Sequence, residues 1–470
     1  MLRRAALLLL CLSPLASARA QTVAVRGGKV IAVDGPTLAT GTVLIRDGRI
    51  VAVGAEIEIP YDAKVIDARG KVVFPGMINA HTGRGMDRAN ERLPVTPFLD
   101  AGESLDPSSL AFEDALRDGV TALHVIPGND TVVGGVGRVV HPLGLSVEDM
   151  TIKAPSGIKL CAAGKKGYDR VQQRAALRAA FAELADHVDG IAEKRFAEEE
   201  KKAGREVVVG PEEARKRGRA LVRAQDVGEK YRNLWLLTQG RLDCYFSCPE
   251  PRDVGFALAF AKEHGFLERT ILVLGAPCFK AVDEIKASGR PVVLPPGLTH
   301  REPDPETGEE VETFVAGPFA AAGIPFAFQT YVRSSYAERF LWYQAARCVR
   351  EGVDRAVALR AITLTPARIL GLGERLGAIG PGRDADLLIL SGDPLSARTV
   401  VEKVLIGGAV VYERSKDYRL RRLLDGRAPD DDDRAPQGEH EPHDEETPPR
   451  PPADEVDPSS GGGHPAEEGR

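Results

Sequence analysis

The sequence predicts an α/β protein, a (β/α)8 TIM-like barrel flanked by β structure, and three observations carry that expectation. Short apolar runs ending in Gly, Pro or polar residues recur through the middle: TALHVIPG, GIKLCAAG, LDCYFSCPE, TILVLGAP, RPVVLPPG and IPFAFQT. Helical stretches such as VGFALAFAKEHG and SSYAERFLWYQAARCVREG separate them. Apolar runs of this kind, alternating with helices, fit strands of a parallel sheet covered on both faces, and so long a series suits closure into a barrel. Both ends of this region carry strand patterns without helices.

The N-terminal strand pattern is TVAVRGGKVIAVDG, GTVLIRDGRIVAVG and AKVIDARGKVVFPG, alternating runs punctuated by Gly or Asp-Gly turns. The same grammar returns in DADLLILSGDPL and VEKVLIGGAVVYE. Ahead of the first strand, Arg3 and Arg4 precede an apolar run, and Ala18-Arg19-Ala20 forms an A-x-A site. Residues 1–20 therefore read as a secretory signal peptide, and the chain is expected to be exported to a periplasmic or extracellular space. The apolar run is shorter than the roughly 20 residues a spanning helix needs, so no membrane span is expected.

Charge is unevenly distributed. The formal net charge of the 470 residues is −6, yet residues 425–470 alone hold fifteen acids against four bases. The rest is close to neutral. That tail has almost no large apolar residues and is expected to be disordered, its His440, His443 and His464 belonging to a solvated spacer. Residues 191–225 alternate charges of both signs and predict a solvated helical pair projecting from the barrel. No aromatics are interleaved with its bases, which argues against nucleic acid. Of six cysteines, Cys11 falls in the signal segment; Cys161, Cys244, Cys248, Cys278 and Cys348 are too sparse for a disulfide framework.

The stretch GKVIAVDG…GTVLIRDGRIVAVG…AKVIDARGKVVFPGMINAH resembles the opening of the amidohydrolase superfamily, in its imidazolonepropionase-like and dihydroorotase-like branches. LRAITLTPARILGLGERLGAIGPGRDADLLILSGDPL…VEKVLIGGAVVYE is similar to its close, and GVTALHVIPGNDTVVGG to its second-strand region. The resemblance implies that residues 21–75 and 376–418 pair into one composite β-sandwich, with the barrel, residues 76–375, inserted between them. It also implies hydrolysis of non-peptide C–N bonds in small molecules, by a hydroxide generated on one or two divalent ions such as zinc.

The family's ligands are a His-x-His pair on strand one, a Lys on strand four, His on strands five and six, and Asp on strand eight. Here the resemblance carries His81 and Lys159 to two of these positions. The second histidine of the pair falls on Gly83, strand five offers Ser247 and Cys248, strand six no histidine, and strand eight Gln329, Thr330 and Tyr331. Cys161, Cys248 and Cys278 fall near successive strand ends and could form a replacement thiol site, although space-filling thiols are the commoner use. His124, on strand two, reads more readily as a satisfied core histidine than as a ligand. His81 and Lys159 are thus vestigial metal candidates, and His81, Lys159, Ser247, Cys248, Cys278, Gln329 and Tyr331 the pocket candidates; no catalytic residue is assigned and no cofactor is expected unless the site still takes zinc. The expected function is a non-catalytic, ligand-binding relative. An active C–N hydrolase with a reduced or relocated metal site and a structural envelope component are the alternatives.

Overall fold

The computed structural model describes residues 22–206, 208–330 and 340–425. The proposed signal segment, most of the acidic tail and Tyr331 lie outside them. Five strands open the chain: β1 Thr22–Ile31, β2 Thr37–Arg46, β3 Arg49–Gly54, β4 Lys64–Asp67 and β5 Val72–Pro75. Next come β6 Met77–Thr82, β7 Val120–Val125, β8 Val133–Val136, β9 Arg138–Val140, β10 Thr151–Lys153 and β11 Ile158–Cys161. The series continues with β12 Cys244–Cys248, β13 Thr270–Leu274, β14 Val292–Leu294, the hairpin β15 Thr299–Pro303 and β16 Glu310–Phe314, then β17 Phe326–Phe328. Three strands close it: β18 Leu387–Leu390, β19 Val401–Ile406 and β20 Ala409–Glu413.

Both chain ends build one eight-stranded sheet, in the order β20-β19-β18-β5-β1-β2-β3 with β4 on β1. Its seam is the antiparallel pair β18–β5, where Leu388 faces Phe74 and Leu390 faces Val72. Alternation along β18 explains the seam: Leu387 and Ile389 pack with Val30, Val43 and Ile45, while Leu388 and Leu390 join the larger core on the other side.

Two sheets lie between those ends, a four-stranded one, β10-β9-β7-β6, and a six-stranded one, β17-β14-β13-β12-β11-β8. Strands β11, β12, β13, β14 and β17 run parallel, as do β6 and β7. Beyond β17, the Thr330 amide donates to the His81 carbonyl at 3.2 Å, tying the far end of the larger sheet to β6 of the smaller. The chain is thus a mixed α/β protein whose parallel strands in these two sheets are buried on both faces.

The charged insertion differs from the sequence reading. Helix α1 spans Arg170–Lys202, beginning well before residue 191, and α2, Pro211–Gly218, is only 8 residues long. The start is fixed by a capping box: Asp169 accepts from the Gln172 amide, and Gln172 Oε1 accepts from the Asp169 amide. The early part of α1 is not solvated on all sides, since Leu177, Phe181 and Leu184 are buried in the main core. Its start is pinned to helix α3, Pro251–Glu263: Arg170 and Arg174 both donate to the buried Asp253 carboxylate. A separate unit begins at Tyr418, and its described part is a short helix, Tyr418–Leu424. No described helix is long and apolar enough to cross a membrane.

Candidate binding site

Strand alternation decides which candidate side chains meet. On β11, Ile158 and Leu160 join the core shared with the helices, so Lys159 and Cys161 face the other way. On β12, Cys244, Phe246 and Cys248 face the helices, where Phe246 packs edge-on to Phe260 of α3 at 6.3 Å. Tyr245 and Ser247 face Lys159's side. Cys248 was a pocket candidate, and its placement corrects that expectation: its thiol lies 3.6 Å from the Asp253 carbonyl, in the helix-facing layer. Cys278 is corrected likewise, its thiol donating to the Cys248 carbonyl at 3.1 Å. Burial pushes the Cys278 thiol up to about 12 and Cys248 well above its ordinary value. Neutral thiols packed against helices are space-fillers, not nucleophiles.

His81 and Lys159 do meet. The Lys159 ammonium donates to His81 Nε2 at 2.8 Å, with Lys159 wholly buried and His81 only 1% exposed. His81 is held by its strand neighbours: Asn79 Oδ1 accepts from the His81 amide at 3.3 Å, and Asn79 Nδ2 donates to Thr330 Oγ1 at 2.6 Å. Burial, then the Lys159 charge, pushes the His81 imidazole well below its ordinary value, so it is neutral. Burial also lowers Lys159 to about 8, countered only by the nearby Cys161, Cys244 and Cys248 thiols. No carboxylate among the described residues compensates that ammonium.

His124 occupies a different role. Its Nδ1 donates to the Ala80 carbonyl at 2.9 Å, and its Nε2 accepts from the Ser156 hydroxyl at 2.8 Å. Desolvation lowers it to about 3, so both ring nitrogens are satisfied in the neutral form. Ser156 escaped the sequence reading; it precedes β11 with no motif around it.

A cavity of about 440 Å³ opens at the C-terminal ends of the parallel strands, lined by Asn90, Asp130, Ser247, Leu274, Pro295 and Gln329 among others. Ser247 and Gln329 are therefore pocket residues. Among the described residues, Gln329 Oε1 is buried there without a hydrogen-bond partner. Ser247 lies opposite Cys161 in the register of β11 and β12, on the face that carries Lys159.

These residues do not fit a divalent cation. Zinc needs imidazole lone pairs or anionic ligands converging on one point, whereas the His81 Nε2 lone pair is occupied by Lys159 and the His124 one by Ser156. A Cβ at Gly83, where the family's second histidine would start, would lie 2.9 Å from the Ala89 Cβ. Among the described residues, no group of three or more His, Cys, Asp or Glu could hold a metal ion.

Similarity to known proteins agrees with the fold. The profile of the Amidohydrolase family matches residues 333–412. The amidohydrolase tasK of Hapsidospora irregularis is 24% identical over 422 residues, covering 79% of this chain and 40% of that protein. The chain thus spans less than half of that relative's length. The imidazolonepropionase of Thermoplasma volcanium is 36% identical over 69 residues, 13% of this chain and 17% of that one. The crystal structure of an amidohydrolase from Thermotoga maritima MSB8 superposes with a TM-score of 0.70 and 26% identity, covering 83% of this chain and 100% of that one. Strand order, the two-ended sheet and these matches define the class: a mixed α/β fold like that of the Thermotoga amidohydrolase. Along most of its length the chain is similar to proteins of the amidohydrolase superfamily.

Proposed function

We propose that this chain binds a small organic molecule in the cavity at its strand ends and does so without a catalytic metal. The carrying observation is the Lys159–His81 hydrogen bond of 2.8 Å, which spends the imidazole lone pair a metal would use. In this reading the four- and six-stranded sheets are the two parts of a (β/α)8 barrel, and the sheet built from both ends is the family's composite sandwich. Residues 1–20 direct export to a periplasmic or extracellular space. The test is metal analysis of the purified full chain together with a panel of amides, lactams, ureides and esters. Substoichiometric zinc and no chelator-sensitive turnover are expected. Stoichiometric zinc with turnover abolished by chelation would overturn the reading.

One observation favours a second reading, a C–N hydrolase that works through the pair itself. Lys159, lowered to about 8, lies near the range of a general base at neutral pH. Under that reading His81→Ala and Lys159→Ala abolish a metal-independent turnover. Full activity in both variants would exclude it.

A further inference from the structure

Two side chains in the wall of the strand-end cavity are hydrogen-bond acceptors at different depths, and among the described residues no cationic side chain lines it. The deep one is Gln329, 1% exposed, whose Oε1 makes no hydrogen bond with the described residues. An acceptor buried without a partner is costly, and an N–H or O–H from a ligand removes that cost. The shallow one is Asp130, whose side chain is 42% exposed. Its loop is tied to the cavity by Asn90, whose Oδ1 accepts from the Asp130 amide at 3.0 Å. The Lys166 amide occupies Asp130 Oδ1 at 2.6 Å, while Oδ2 makes no hydrogen bond with the described residues. Lys165 Nζ lies 3.9 Å from Oδ1, beyond hydrogen-bond reach, and donates to the Glu91 carbonyl at 3.4 Å instead. Ala163, Pro249, Leu274 and Pro295 give the same wall an apolar surface.

We propose that the cavity takes a short aliphatic amine ending in an uncharged donor: the ammonium pairs with Asp130, and a hydroxyl or amide N–H at the other end donates to Gln329 Oε1. The depths assign the two ends. An ammonium beside the neutral Gln329 amide would be buried without a counter-ion, which is strongly disfavoured, so the charge belongs at the half-exposed carboxylate. An anion would meet that carboxylate with no cation in the wall to offset it. The aliphatic chain covers the prolines and Leu274, for which the cavity of about 440 Å³ has room. Magnitudes rank the contacts. Asp130 is exposed and already has Lys165 nearby, so its pairing adds little and is screened by salt. The Gln329 contact, made away from water, discriminates more. This inference rests on the metal-free binding reading and names the class of ligand.

The experiment is calorimetric titration of the full chain at neutral pH with straight-chain ω-aminopentanol, against pentylamine, pentanediol and ω-hydroxyhexanoate. Aminopentanol is expected to bind saturably. Pentylamine, without the hydroxyl, should bind about tenfold or more weakly. Pentanediol, without the charge, should bind a few-fold more weakly, and hydroxyhexanoate not measurably. Gln329→Met is expected to bind aminopentanol and pentylamine equally, and to melt above wild type because the unpaired acceptor is gone. Gln329→Leu repeats the comparison should Met pack poorly. Asp130→Asn is expected to bind aminopentanol and pentanediol equally, and added sodium chloride should close the same gap in the wild type. Each variant is read by the pair of ligands it ceases to distinguish, which a general loss of stability does not imitate. Absence of saturable heat with aminopentanol would overturn the proposal. So would a preference for aminopentanol over pentylamine that survives both Gln329 variants, or tighter binding of hydroxyhexanoate. Stoichiometric zinc with chelator-sensitive turnover would instead fail the reading beneath it, whatever the amines do.

Discussion

Lys159 Nζ sits 2.8 Å from His81 Nε2, on strands 78 residues apart in sequence, so a cation of the chain itself stands where the imidazole lone pair points. Burial of that ammonium makes stability depend on pH in a definite direction. Lys159 is lowered from its ordinary 10.5 to about 8 in the folded chain. Between those values the unfolded state binds the proton and the folded state does not, so stability rises as pH climbs from about 8 towards 10.5. The full effect is on the order of 3 kcal/mol. Denaturant unfolding of wild type and Lys159→Met at pH 7.5 and 10 isolates it, since other groups cancel in the difference. A gap that does not shrink in the variant's disfavour across that range would contradict the assignment.

Gly83→His should not rebuild a metal site. The new Cβ meets Ala89 at 2.9 Å, and overpacking of this kind costs about 1–3 kcal/mol. The expected outcome is a lower Tm with zinc content unchanged from wild type. Zinc uptake at unchanged stability would show that Ala89 yields easily.

Asp253 anchors the long insertion helix to the main core. It is fully buried, with Arg170 and Arg174 both donating to it. Asp253→Ala leaves two guanidinium groups without their shared acceptor, for a loss of roughly 3 kcal/mol. Solvent-facing control pairs such as Arg217–Glu213 should cost far less when broken. Equal losses at both places, measured by urea unfolding, would rule out the anchoring role.

Thiol labelling tests the reassignment of the strand-end cysteines. All five cysteines from Cys161 to Cys348 are free and buried, and burial holds both Cys278 and Cys348 at about 12. The native chain should therefore react negligibly with a thiol reagent near neutral pH, and the same chain in denaturant should react fully. Rapid native labelling at Cys248 or Cys278 would restore them as site candidates.

Much of the fold was legible because its signals are local. Each parallel strand of the middle region is a short apolar run closed by Gly, Pro or a polar residue, and burial on both faces removes the ambiguity of alternation. The paired ends were legible through two long terminal stretches resembling one family. The site was half legible. His81 and Lys159 could be placed on two strands of the same region by their surroundings, whereas Cys248 and Cys278 looked equally well placed. One residue of register along β12 separates Ser247, in the cavity wall, from Cys248, against α3.

The sequence by itself determined the class of scaffold, the two-ended sheet's ingredients and the residue types standing at the family's ligand positions. Tertiary structure alone decided that Lys159 bonds His81, that Ser156 fills the acceptor on His124, and that Ala89 crowds Gly83. The physical reason is range. Periodicity and turn chemistry act over a few residues, but a lone pair or a void is filled by whichever side chain the packing delivers from strands and loops far away in sequence.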